Sequence, residues 1–163
     1  MENLKIISNS PEETIHIAKT LAKLLSTGDT IVLTGDLGAG KTKFVEGFLS
    51  NFNLQDEISS PTFNIVNEYE TENEKIFHFD VYRLEDSDEF YAIGGDEYFD
   101  KGICLIEWGE TLEDVLPKAY IQVLFSKDKS NENKRFLEFN ITGDSEKLYI
   151  IIKKLKEELI WEY

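Results

Sequence analysis

Eight consecutive residues, Gly35-Asp36-Leu37-Gly38-Ala39-Gly40-Lys41-Thr42, follow the pattern G-x-x-x-x-G-K-[ST]. The pattern suits a triphosphate. Glycines let such a loop curl so that several backbone N–H groups point inward at phosphate oxygens. A following helix would add the positive end of its dipole. Lys41 would place a point charge near the β- and γ-phosphates, and the Thr42 hydroxyl could bind Mg²⁺. A loop of this kind also needs an acidic residue for the Mg²⁺ shell, usually at the end of a neighbouring apolar strand. Two residues qualify. Asp80 follows Ile76-Phe77-His78-Phe79, and Glu107 follows Ile103-Cys104-Leu105-Ile106. Either carboxylate, or both, could face the phosphates, because parallel sheets gather ligands at the carboxyl ends of their strands. Between the loop and the first of these acids lies Ser59-Ser60-Pro61-Thr62, where related switches sense the γ-phosphate. Thr62 could offer its hydroxyl to Mg²⁺ or phosphate.

The elements that must hold these groups can be read from pattern. Thr30–Thr34 is apolar and β-branched, as expected of a strand buried on both faces of a parallel sheet. A helix is expected from about Lys41 to Ser50. Upstream, Leu4–Ile7 reads as a strand. Ser10-Pro11-Glu12-Glu13 reads as a capped helix start, with Ile15, Ala18, Leu21, Ala22 and Leu25 at helical spacing and Gly28 as the stop. Downstream, Asn64–Tyr69 and Lys75–Asp80 read as strands joined by a polar turn, and Ser87–Ile93 as a short helix. Ile103–Ile106 reads as a buried strand, and Ala119–Phe125 with Arg135–Ile141 as a hairpin. Asp144 is the expected cap of a last helix with Leu148, Ile151, Ile152, Leu155 and Leu159 on one face. The pattern predicts one α/β domain over residues 1–163. Its expected form is a three-layer, P-loop NTPase-like domain with a mixed, partly parallel central sheet.

Composition bounds what such a domain does. The chain has 163 residues with 41% hydrophobic and 30% charged side chains, enough to build a core unaided. A single cysteine, Cys104, rules out a disulfide framework and a cysteine-based zinc site, and it reads as core. With only two histidines, His78 reads as a hydrogen-bonded structural residue that shares a strand face with Asp80. Trp108 could stack near a nucleotide or fill the core. No basic-then-apolar leader or apolar run of about 18 residues is seen, so no membrane contact and a cytoplasmic location are expected. Net charge is −15, which argues against unassisted grip on nucleic acid. Residues 68–114 carry 16 acidic and 3 basic side chains, an excess suited to a solvated face or a basic protein partner.

No N-K-x-D element for guanine occurs, which favours ATP. Arg83 and Arg135 are the only arginines, few for a small-molecule kinase. A compact ATPase, weak without a partner, is the expectation. The alternatives are a small phosphotransferase using Arg83 in an acceptor pocket, and a binding module gated by nucleotide without turnover.

Four blocks in series resemble the bacterial TsaE (YjeE-like) family. They are Gly35–Thr42 with Gly47 and Phe48, Ser60-Pro61-Thr62-Phe63, His78-Phe79-Asp80-Val81-Tyr82-Arg83-Leu84, and Ile103-Cys104-Leu105-Ile106-Glu107-Trp108. The resemblance covers about residues 30–110. It implies an ATPase needed for threonylcarbamoylation of adenosine 37 in tRNAs that read codons beginning with A. The implied partners are the TsaB–TsaD pair, with tRNA met only through them. By the same resemblance Leu37, Gly38, Ala39, Gly40, Lys41 and Thr42 bind ATP, Thr42 and Glu107 hold Mg²⁺, and Asp80 serves at the catalytic centre with Lys41. Thr62 and Trp108 would belong to a nucleotide-sensing region. Asn9, Ser10 and Arg135 are further possible adenine or phosphate contacts.

Overall fold

A computed structural model describes residues 3–36, 38–58 and 65–160. The chain begins with strand β1 (Leu4–Ser8) and helix α1 (Pro11–Ala22). The α1 start forms as its sequence predicts: the Ser10 hydroxyl accepts from the Glu13 N–H at 3.1 Å, and the Glu13 carboxylate accepts from the Asn9 N–H at 2.6 Å. The helix stops short of Gly28, because Leu24 and Leu25 bond to carbonyls three residues back and tighten the chain into turns. Strand β2 (Thr30–Thr34) leads through the glycine loop into helix α2 (Lys41–Ser50), both as expected. Then follow β3 (Val66–Glu70), β4 (Lys75–Asp80), α3 (Ser87–Ala92), β5 (Ile103–Glu107), β6 (Tyr120–Lys127), β7 (Arg135–Thr142) and α4 (Glu146–Ile160). Asn64, expected to open β3, lies outside the described residues. The last helix is capped by Ser145 and not by Asp144: the Ser145 hydroxyl accepts from the Leu148 N–H at 3.2 Å.

All seven strands join in one sheet, in the order β1-β7-β6-β2-β5-β4-β3. The centre is parallel, with β2 between β5 and β6 and β4 beside β5. The flanks are antiparallel: β3 on β4, and β7 between β6 and β1. This is the mixed, partly parallel sheet that the sequence predicts. Both faces of β2 are covered, since Thr30 to Leu33 are all buried. Alternating side chains then divide the core. Ile31, Leu33, Ile76, Ile103, Leu105, Ile121 and Val123 pack with α1, α2 and α4 on one side. Phe77, Phe79, Cys104 and Ile106 pack on the other with Phe90 of α3 and with Leu112 and Val115 of a 3-10 segment, Gly109–Val115. That second layer is short. Toward β7 and β1 the same face is open, with Ile7 and Phe136 paired in register and both exposed.

Helices α1 and α2 lie close enough that Gly47 is obligatory. A Cβ added there would stand 2.3 Å from the Ile15 carbonyl oxygen. Close approach brings α2, and hence the loop that precedes it, to a fixed position over the parallel strands. Among the described residues, no helix is long and apolar enough to cross a membrane.

Candidate functional site

The loop between β2 and α2 turns on glycines with left-handed backbone. Gly38 has φ +78° and Gly40 φ +111°, angles that side chains with a Cβ rarely adopt. Gly40 stands at the start of α2, where no side chain caps the helix. The first N–H groups of an uncapped helix are an anion site. Leu37 lies outside the described residues. Ala39 turns its methyl into the core at 1% exposure, so any contact it makes with a ligand is through its backbone.

Parallel pairing brings the acids to the same place. Chain direction is shared by β2, β5 and β4, so their carboxyl ends meet at one edge of the sheet. Asp80 and Glu107 are direct register partners, and Glu107 also pairs with Leu33 of β2. A cavity of about 440 Å³ opens there. Its walls include Gly38, Gly40, Lys41, Thr42, Asp80, Glu107 and Trp108. These seven residues, all singled out in the sequence, thus surround one space of the size ligand sites occupy. Thr62 lies outside the described residues, as does the rest of Ser59–Thr62.

Lys41 is 5% exposed and turned inward. Its ammonium donates to the Gly35 carbonyl at 2.6 Å and lies 3.8 Å from the centre of the Trp108 ring. Trp108 is half-buried, and the Tyr82 ring packs against it in a tilted arrangement with centroids 4.9 Å apart. Its own backbone has φ +65°, a conformation that costs about 1–3 kcal/mol for a residue other than glycine. Trp108 packs against the smaller core cluster and also borders the cavity.

Asp80 accepts at Oδ1 from the Tyr82 N–H at 3.1 Å. Glu107 Oε2 lies 2.7 Å from His78 Nε2, and both side chains are nearly closed to solvent, at 13% and 4% exposure. The His78–Glu107 contact is the site relationship that sequence reading missed. Its only trace in the sequence is the shared face of His78 and Asp80, which acquires meaning once β4 and β5 are known to pair.

Pro11 and Thr14 of α1, and Glu132, Asn133 and Arg135 of the β6–β7 hairpin, also line the cavity. They come from β1–α1 and from the strand pair beyond β2. Arg135 donates to the carbonyls of Glu132 and Lys134 and reaches the Gly38 carbonyl at 3.4 Å. Arg83, by contrast, is exposed and is no part of the cavity wall. A phosphotransferase reading thereby loses its acceptor residue.

The site chemistry fits a hard cation held together with a phosphate chain. Mg²⁺ takes oxygen ligands and is usually bound by one or two carboxylates plus substrate phosphates, not by a protein cage. Thr42, Glu107 and Asp80 offer such oxygens on one cavity wall. Among the described residues, no cluster of three or more His, Cys, Asp or Glu forms a self-sufficient metal site.

Comparison with known proteins bears on the same residues. A family model described as "Threonylcarbamoyl adenosine biosynthesis protein TsaE" matches residues 8–136. A tRNA threonylcarbamoyladenosine biosynthesis protein TsaE of Bacillus subtilis is 39% identical over 145 residues, covering 88% of this chain and 89% of the relative. One from Rickettsia felis is 40% identical over 142 residues, covering 86% and 81%. Among solved structures, the crystal structure of Bacillus subtilis YdiB superposes with a TM-score of 0.76 at 32% identity, over 96% of both chains.

Proposed function

The chain belongs to the TsaE family, and on that premise we propose that it hydrolyses Mg-ATP in support of tRNA threonylcarbamoyladenosine formation. Family membership carries the role in that biosynthesis. ATP turnover, Mg²⁺ and action on the TsaB–TsaD pair are the finer reading. One observation supports it above the others: the glycine loop, Lys41, Thr42, Asp80 and Glu107 share one cavity.

In this reading the N–H groups of residues 38–42 and the Lys41 ammonium hold the phosphate chain. Lys41 must leave the Trp108 ring and the Gly35 carbonyl to do so. Thr42 and Glu107 hold the ion, which when bound neutralises charge on the phosphate oxygens. Asp80 has Oδ1 fixed by the Tyr82 N–H, and Oδ2 orients the attacking water. The overall reaction is ATP and water to ADP and phosphate. Asp80 and Glu107 stand at the ends of paired parallel strands and are in place before substrate binds; Lys41 is the group that must move. A chain of net charge −15 is poorly suited to hold tRNA. It is suited to act on a protein complex that does.

Steady-state phosphate release tests the proposal, with the chain alone and with TsaB and TsaD. Release should require Mg²⁺, rise with the partner pair and fall about 10²-fold in Asp80→Ala, the loss typical when a positioned acid–base group is removed. Nucleotide affinity should change little in that variant. Tight ATP binding with no phosphate release, even with both partners, contradicts hydrolysis and favours a nucleotide-gated binding module.

A further inference from the structure

We propose that His78 is a positioning residue for Glu107: its buried imidazole, protonated at Nε2, holds the carboxylate in one orientation at the edge of the nucleotide cavity. The inference rests on the proposed nucleotide reading and deepens it.

The argument begins with the strands. His78 sits two residues before Asp80 on β4, so the two side chains share a sheet face. Asp80 is the register partner of Glu107 on β5, and His78 is the partner of Leu105. Glu107 is therefore one step diagonal from His78 on the same face, within reach of a long side chain. The two meet at 2.7 Å, His78 Nε2 to Glu107 Oε2.

Burial then fixes where the proton sits. His78 Nδ1 is shut off from solvent and has no hydrogen-bond partner among the described residues. A proton on Nδ1 would leave a buried donor unsatisfied. It would also set the Nε2 lone pair against a carboxylate oxygen 2.7 Å away. A proton on Nε2 removes both problems, because Nε2–H donates to Oε2 and Nδ1 is left as a bare lone pair. In this arrangement His78 is the donor and Glu107 the acceptor of the contact.

Orientation follows. Oε2 is engaged by His78, which leaves Oε1 for the cavity. Groups that orient a metal-binding carboxylate in this way typically change metal affinity about 10–100-fold when lost. Asp80 is held differently: its Oδ1 accepts from the backbone N–H of Tyr82. The two acids are thus held by different means, one by an imidazole and one by the chain that follows it.

Three measurements on the full chain test this. Nitrogen-15 NMR of the nucleotide-free protein should show His78 protonated at Nε2 and bare at Nδ1. Calorimetry with ADP, with and without Mg²⁺, should separate the ion from the loop. In His78→Leu, ADP affinity in EDTA should stay within about twofold, since the loop and Lys41 carry it, while the gain in ADP affinity on adding Mg²⁺ should shrink about 10–100-fold. His78→Gln, which returns an N–H at similar reach, should restore most of that gain. If His78→Leu does not fold, the NMR result and His78→Gln decide: Nδ1 protonated, or a Gln variant without any Mg²⁺-dependent gain, overturns the inference. Normal ADP binding with an unchanged Mg²⁺ gain in folded His78→Leu also overturns it, and leaves the nucleotide site standing. An unmodified chain that binds no ADP overturns both.

Discussion

The Lys41 ammonium lies 3.8 Å from the centre of the Trp108 indole, inside the cavity that the glycine loop borders. Cation–π contacts of this kind contribute about 0.5–2 kcal/mol, depending on how dry the site is. A polyphosphate offers Lys41 a far stronger partner, so the contact should break when nucleotide binds. Trp108 emission should therefore change on addition of Mg-ADP. Trp161 lies outside the described residues, so the measurement is made in Trp161→Phe, where Trp108 is the sole indole. Emission unaltered at saturating Mg-ADP would mean that Lys41 and Trp108 do not separate.

A second prediction concerns the floor under the loop. A Cβ at Gly47 would meet Ile15 backbone atoms at 2.3 to 2.8 Å, and backbone cannot move aside as a flexible side chain can. Gly47→Ala should push α1 and α2 apart. Overpacking of this kind costs about 1–3 kcal/mol or more. Urea unfolding should show the loss, and nucleotide affinity should fall with it because α2 carries Lys41 and Thr42. A variant as stable as the parent would show that the helices have slack.

A third concerns Cys104. Burial, helped by the nearby Asp100 charge, pushes its thiol from the ordinary 9.0 up to about 12. The folded chain therefore keeps this proton where the unfolded chain has lost it. The stabilisation is complete below about pH 9 and is lost as pH rises toward about 12. Cys104→Ala should accordingly lose less stability than the parent between pH 8 and 10.5, and the native thiol should resist alkylation at about pH 8 until the chain unfolds. Rapid alkylation of the native protein would contradict the burial of β5.

What the sequence discloses follows the range of the interactions involved. Strand β2, the glycine loop and α2 are legible because each rests on local chemistry: a β-branched apolar run, then glycines, then helical spacing. The α1 start is legible for the same reason, through Ser10, Pro11 and Glu13. Its end is not, since Leu24 and Leu25 continue the apolar pattern while the backbone tightens into turns. The last helix shows the limit of cap reading, as Asp144 and Ser145 are both good caps and tertiary placement selects Ser145. Asp80 and Glu107 can each be nominated from a strand end, but their pairing depends on β4 lying beside β5. Likewise the places of Thr14, Glu132 and Asn133 in the cavity wall depend on contacts between distant segments. The left-handed backbone of Trp108 has no local signal at all.

Calorimetric titration with Mg-ADP, comparing the unmodified chain with Lys41→Ala, tests the central claim most directly. The account predicts saturable binding by the unmodified chain and loss of most of that affinity in Lys41→Ala, with the variant still folded. Equal affinity in the two chains would contradict it, because the ammonium beneath Trp108 would then have no part in holding phosphate.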